Sequence, residues 1–266
     1  MTAGEDRIQA AAEEIAATRL GHGRLSRLPT GIRPRDSSEA YAVQAALHRR
    51  LEGAGRGTVV GHKIGCTTEV MQRYLRIDSP CAGGVFSRTV HQREARLESG
   101  DFRRIGVECE IAVRLGADLP DLLRGHDRGT VARAVDRVMA AIEIVEDRYV
   151  DFRAFDTPTL IADDFFNAGC VLGEPVEAWN ELDLAGLEGR MRIDGKEVGR
   201  GHGRDILGHP FEALAWLANS LNVRGDRLRA GEFVLLGSLV QTVWLQPGNR
   251  VHIEVDRLGA ATLSLS

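Results

Sequence analysis

Apolar and polar positions alternate most regularly over 106–113, where Val107, Cys109, Ile111 and Val113 interleave with Glu108, Glu110 and Ala112. A period of two predicts a strand. Residues i and i+2 of a strand share a face, so Glu108 and Glu110 point the same way and Cys109 points behind them. A second stretch, 138–145, is apolar throughout except for Glu143. It predicts a strand buried on both faces, in which a lone carboxylate is costly unless something compensates it.

The rest of the pattern is mixed. Helical spacing predicts a helix over 5–19, and Gly, Arg and Pro predict a loop over 20–36. A second helix begins with Ser37 as N-cap and Glu39 near its start, with an apolar stripe from Ala42 to Leu51. A strand follows at 59–65. Thr67, Thr68 and Glu69 open a short helix through Leu75, and Asp78-Ser79-Pro80 is a turn. A strand begins at the glycine pair Gly83-Gly84, which can let a ligand approach the backbone or serve as turn residues. Residues 94–116 read as strand, turn and strand, 126–137 as a short helix, 156–169 as a loop and 171–176 as a strand. A hairpin turns at Asp194-Gly195, residues 199–203 form a glycine-rich loop, and an amphipathic helix spans Pro210 to Leu221. The C-terminal part is β by pattern, at 233–236, 239–245, 251–255 and 261–265. Strands do not alternate regularly with helices. The expected class is therefore α+β, with a distorted mixed or antiparallel β-roll core and peripheral helices, divided into an N-terminal helical segment (1–55) packed on a core domain (56–266).

Composition narrows the function classes. The 266 residues are 43% hydrophobic and 27% charged, with a net charge of −4. That balance gives no electrostatic case for nucleic acid or an anionic membrane. No apolar run approaches the roughly 20 residues that span a bilayer. The N-terminus carries Glu5, Asp6, Glu13 and Glu14 rather than a basic and then an apolar stretch, which makes the cytoplasm the expected compartment. Cys66, Cys81, Cys109 and Cys170 lack metal-ligand spacing and read as small buried hydrophobes. Among 34 basic residues only Lys63 and Lys196 are lysines. Lys196 follows the hairpin turn. Lys63 follows an apolar run and is either a surface residue at a strand end or an amine that the site requires, because Lys can release its proton and Arg cannot.

The acidic positions admit two readings. Glu108 and Glu110 form a solvated face and Glu143 pairs with an arginine, or the three converge as oxygen ligands for a hard divalent ion, Mg²⁺ or Mn²⁺.

Five stretches together resemble the 2-keto-4-pentenoate hydratase and 4-oxalocrotonate decarboxylase branch of the fumarylacetoacetate hydrolase superfamily. They are 61–65 (GHKIG), 107–111 (VECEI), 142–145 (IEIV), 161–164 (IADD) with 167–169 (NAG), and 207–210 (LGHP) running into 213–219 (ALAWLAN). Gly237-Ser238-Leu239 resembles a sixth, and the likeness runs over roughly 40–266 in the family's order. The resemblance implies a metal-dependent lyase, with Glu108, Glu110 and Glu143 as metal ligands, Lys63 as the active-site lysine and 56–266 as the catalytic domain. Three departures bear on the substrate: Cys109 stands where many relatives have Pro, Asp164 where Asn is usual, and Asn167 where some hydratases carry Ser.

A 2-oxo acid or its enol can chelate a divalent ion, which stabilises the enolate as water adds to the distal double bond of a 2-hydroxy-2,4-dienoate. Lys63, near a metal and partly buried, is expected to have a lowered pKa and act as general base or proton shuttle, or, if charged, to hold the substrate carboxylate. Asp78 and Asp163 are secondary catalytic candidates for orienting Lys63 or water, with turn roles as the alternative. Asn167 and Ser238 are expected to bind substrate. The same enolate chemistry serves a 4-oxalocrotonate-type decarboxylase, whose second carboxylate pocket Arg73 or Arg76 could supply. An acylpyruvate-type C–C hydrolase would need an activating His, and a catalytically silent partner subunit would keep only the fold. The expected partners are a small 2-oxo or 2-hydroxy-dienoic acid, further copies of the chain in a homo-oligomer and, within the resemblance, a related pathway enzyme.

Overall fold

The computed structural model describes residues 3–21, 23–68, 72–73 and 77–266. Its longer sheet follows the order β2 (Cys81–Phe86), β1 (Val59–Gly65), β10 (Phe233–Ser238), β5 (Ile105–Leu115), β6 (Val135–Glu146), β7 (Asn167–Leu172) and β3 (Val90–Gln92), and the short β11 (Val243–Trp244) also pairs with β5. A second sheet follows the order β4 (Glu94–Leu97), β13 (Gly259–Leu265), β12 (Arg250–Val255), β8 (Glu188–Ile193) and β9 (Lys196–His202). The pairs β1–β10, β3–β7 and β4–β13 are parallel and the remaining pairs antiparallel, so the α+β class with a mixed sheet is what the chain adopts. No described helix is long and apolar enough to cross a membrane.

Alternation along the central strands separates two cores. On one face of the longer sheet Val85, Ala112, Met139, Ala141, Cys170 and Leu235 form a cluster. Val85 on β2 meets Cys170 on β7 there although those strands lie near opposite ends of the pairing order, so the sheet rolls around this face. On the other face Val107, Cys109, Ile111 and Ile142 pack against Met191, Ile253 and Leu263 of the second sheet and against α5 (Pro210–Val223). Each such buried side chain contributes about 1.5–3 kcal/mol. A third cluster joins α1 (Ala3–Leu20) and α2 (Ser37–Gly53) to Phe86, Tyr149 and α4 (Thr157–Ala162).

Several expectations are corrected. Asp36, not Ser37, caps α2, its carboxylate accepting from the Glu39 N–H at 2.9 Å. The helix expected over 126–137 shrinks to α3 (Arg128–Ala132), because β6 begins at Val135 to pair with the end of β5. The stretch 156–169 is not a loop. Asp156 accepts from the Thr159 N–H at 2.9 Å and Pro158 occupies the first turn, so α4 forms, and β7 starts at Asn167 and ends at Leu172 instead of running over 171–176. The glycine-rich 199–203 stretch lies mostly in β9. The helix expected through Leu75 falls largely outside the described residues. The close approach at Gly83-Gly84 is made by the protein itself, since a Cβ there would lie 2.6 Å from the Asp164 carbonyl oxygen and from the His48 ring respectively.

Candidate metal centre

Antiparallel pairing of β5 and β6 sets Glu108 opposite Glu143, with Glu110 one step along on the same face. One carboxylate oxygen from each of the three lies within 4.8 Å of the others. Glu110 and Glu143 are fully buried and Glu108 is half-buried. Cys109, between them, is buried in the opposite core, as the alternation requires.

Each carboxylate has its own holder. The Gly237 N–H donates to Glu110 Oε2 at 2.9 Å. The register of β10 against β5 shifts between Leu235 and Ser238, and Gly237 adopts φ of +123°, a conformation glycine accepts at little cost. A Cβ at that position would lie 2.3 Å from Thr67 Oγ1. The Thr242 hydroxyl donates to Glu108 Oε1. Asn167 Nδ2 donates to Glu143 Oε1 at 3.0 Å, and Lys63 Nζ lies 3.1 Å from that same oxygen. Lys63 is buried on β1, its ammonium 5.3 Å from the centre of the Phe165 ring.

Negative charge exceeds positive here. Burial first, and then repulsion from Glu143, pushes the Glu108 carboxyl up to about 7. Burial, with Glu143 and Glu108 alongside, holds Glu110 well above the ordinary carboxylate value. Burial draws the Lys63 ammonium down, but Glu143, Glu108 and Glu110 outweigh it and hold its pKa above the ordinary lysine value. The expected lowering of the Lys63 pKa is thus corrected, because three carboxylates face one amine. Glu110 Oε1 and Glu143 Oε2 are buried without a hydrogen-bond partner. Two orphaned oxygens in an all-oxygen donor set fit a hard divalent cation rather than zinc.

The sequence model for the fumarylacetoacetate hydrolase C-terminal domain matches residues 83–265. The chain is 33% identical to a 2-keto-4-pentenoate hydratase of Burkholderia vietnamiensis over 227 residues, which covers 85% of this chain and 84% of that protein. The chain belongs to the fumarylacetoacetate hydrolase family. It is also 27% identical to a 4-oxalocrotonate decarboxylase of Pseudomonas putida over 98% of this chain and 97% of that protein. Among solved structures, the 4-oxalocrotonate decarboxylase of Pseudomonas putida G7, in complex with magnesium and adipate, superposes with a TM-score of 0.91 at 26% identity, covering 100% of this chain and 99% of that one.

In this family member the structure brings Lys63, Glu108, Glu110, Glu143 and Asn167 together. Ser238 sits opposite Glu110 at the end of β10, half-buried, its hydroxyl donating to the Cys109 carbonyl at 3.4 Å and bonded to the Val240 carbonyl. Asn167 reaches Glu143, so its first role on this chain is to orient that carboxylate. Asp163 is not brought to Lys63. It is fully buried, and its Oδ2 accepts from Arg148 Nη1 at 3.1 Å and from the Tyr149 hydroxyl at 2.9 Å, while Arg19 Nη1 lies 3.5 Å from its Oδ1. Asp164 adds no uncompensated charge, because His48 (2.6 Å), Arg19 (2.8 Å) and the Gly84 N–H (2.9 Å) surround it and hold its pKa below the ordinary range despite burial. Asp78 lies exposed in a bend. Arg76 lies outside the described residues.

Sequence reasoning missed Thr242, Phe165 and Arg148, and it singled out the Gly237-Ser238-Leu239 stretch without assigning Gly237 its backbone bond to Glu110. Thr242 stands in a β-rich tail where a hydroxyl carries no distinctive signal. Asp164, Phe165 and Phe166 all take positive φ (56°, 48° and 68°), an uncommon run for side-chain-bearing residues that aims Phe165 at Lys63. Arg148 sits at the end of the apolar 138–145 run, where a charge reads as a strand terminus.

Proposed function

We propose that the protein is a divalent-metal-dependent hydratase that adds water to a 2-hydroxy-2,4-dienoate of the 2-keto-4-pentenoate type, giving a 4-hydroxy-2-oxo acid. One observation carries this reading: three converging carboxylates, two with orphaned buried oxygens, face a single buried lysine in a chain 33% identical to a 2-keto-4-pentenoate hydratase. Glu108, Glu110 and Glu143 would hold Mg²⁺ or Mn²⁺. The ion, when bound, supplies Lewis-acid stabilisation of negative charge developing on the substrate's C2 oxygen. Magnesium in the related decarboxylase structure supports an ion of this class.

The chain's own groups do the rest. Gly237, Thr242 and Asn167 fix the rotamers of the three carboxylates through one hydrogen bond each. Lys63, held as an ammonium by Glu143, presents Nζ donors to the substrate carboxylate and returns a proton to carbon on ketonisation. Phe165 covers its flank. Ser238 offers a hydroxyl to a substrate oxygen at the mouth of the site, and Asp78 remains a candidate for orienting the incoming water. Asp163 keeps its place in the proposal only indirectly, through the 163–166 segment that positions Phe165 and Asn167. The assembly we propose is a homo-oligomer.

A second reading has its own support. The superposition with the 4-oxalocrotonate decarboxylase extends over the whole chain, so the same enolate chemistry would serve loss of CO₂ from a vinylogous 2-oxo diacid. The C–C hydrolase reading has less behind it, because no described histidine hydrogen-bonds or ion-pairs with the triad or Lys63.

The test is a spectrophotometric assay of freshly generated 2-hydroxypenta-2,4-dienoate with Mg²⁺ and then with chelator, the product identified by mass. Ion-dependent decay to a product heavier by one water is expected. Inertness toward this dienoate with CO₂ release from 4-oxalocrotonate would replace the proposal with the decarboxylase. Inertness toward both, together with no ion binding, would leave a silent partner subunit.

A further inference from the structure

The strands that carry the triad have a second face, and it is not solid. Glu143 and Asn167 point toward the carboxylate cluster, whereas their neighbours Ile144 and Ala168 line a separate cavity of about 450 Å³. The size suits a small organic ligand. Leu51, Phe86 and Ile144 give it an apolar wall, and none of Lys63, Glu108, Glu110 and Glu143 lines it.

Its charge is basic. Arg19, Arg56, Arg88 and Arg148 line it against Asp101 and Glu146. Arg148 and Arg19 are already engaged by the buried Asp163 and Asp164. Arg56 and Arg88 have no acidic partner among the described residues, and they stand together, since Gly55 and Gly57 on either side of Arg56 both abut the Arg88 side chain. Arg88 is exposed and Arg56 half-buried. Two unpaired guanidinium forks at the rim of an apolar cavity make a receptor for an oxyanion attached to a short carbon body.

We infer that this cavity is a second, non-catalytic site for a small organic anion, whose carboxylate or phosphate group pairs with Arg56 and Arg88 and whose carbon body lies on Leu51 and Phe86. It lies back to back with the triad. Ile144 follows Glu143 in β6. Arg148, on the cavity wall, donates to the Asn167 carbonyl at 2.6 Å, and Asn167 in turn holds Glu143. The inference does not depend on which reaction the triad performs.

The test is calorimetric titration of succinate, and separately of inorganic phosphate, into the Mg²⁺-loaded full-length protein, the Arg56→Ala/Arg88→Ala double variant and Glu108→Gln. Saturable binding of at least one probe is expected, weakened tenfold or more in the double variant and retained in Glu108→Gln. Preference for succinate would make the natural ligand a carboxylate, and preference for phosphate a phosphoester. Three results would overturn the inference: no saturable binding of either probe, binding lost in Glu108→Gln but kept in the arginine double variant, or a double variant that binds like the parent but sediments as a smaller species, which would make the cavity an interface between copies. Unchanged circular dichroism of the double variant guards against misfolding, because both arginines have accessible side chains.

Discussion

Phe165 follows one carboxylate cluster in the chain and touches the lysine of another, and the two clusters are built to opposite rules. Asp163 and Asp164 are matched by two arginines, a histidine, a tyrosine hydroxyl and a backbone N–H, with no oxygen left over. Glu108, Glu110 and Glu143 have one lysine, a threonine hydroxyl, an asparagine amide and a backbone N–H, and two of their oxygens face nothing. The first cluster is complete as protein and anchors the left-handed run from Asp164 to Phe166. The second is incomplete as protein, and a bound cation would complete it. Burial alone therefore does not mark a functional carboxylate, whereas a deficit of compensating charge does.

The balanced cluster is the more sensitive to loss of a charge. Asp163→Asn removes the nearer of the two counter-charges of the buried Arg148 guanidinium, leaving only Glu146 at 3.4 Å, and is expected to cost about 3 kcal/mol, read as a lowered urea midpoint. Turnover per folded molecule should change far less. On the unbalanced side the order reverses. Glu143→Gln should lower Mg²⁺-dependent turnover by about 10²–10³-fold while leaving the urea midpoint near that of the parent, because it removes one of three mutually repelling charges. An unfolded Glu143→Gln protein, or a fully active one, would erase the distinction between the clusters.

The clusters should also titrate in opposite directions in chelator-treated protein. Glu108 has a folded pKa raised from the ordinary 4.5 to about 7, so its contribution is favourable at low pH and is lost as pH rises through that interval. Asp164 has a folded pKa below the ordinary 3.8, so its contribution is present above that value and lost as pH falls past it. Stability measured against pH should decline on both limbs. Glu108→Gln should shallow only the upper limb, and Asp164→Asn only the acid limb. The smallest effect concerns the threonine: Thr242→Val removes the hydroxyl on Glu108 and should weaken divalent-ion affinity about tenfold with little change in stability, measurable by calorimetry.

Much of this site was legible before any coordinates. The i, i+2 spacing of Glu108 and Glu110 and the single Glu in the 138–145 run encode their strand faces directly, and Lys63 stood out because the chain otherwise uses Arg almost everywhere. The resemblance joined these stretches, which periodicity could not do, since the pairing of Glu108 with Glu143 is a matter of register between distant strands. Asp163 shows the limit. A carboxylate beside Asn167 and Lys63 motifs reads as catalytic, and only the positions of Arg19, Arg148 and Tyr149 reveal that its charge is spent on structure. The direction of the Lys63 pKa was missed for the same reason: proximity of three carboxylates is a tertiary fact. Loop 156–169 became helix and turn because Asp156 and Pro158 made a good helix start that the polar residues around it obscured.

In the proposed enzyme the unbalanced cluster holds one divalent ion. Calorimetric titration of Mn²⁺ into chelator-stripped protein, with Glu110→Gln in parallel, tests it most directly. One ion per chain, with binding abolished or weakened at least a hundredfold in Glu110→Gln, is the predicted result. No binding to the parent protein, or equal binding to both, would contradict it.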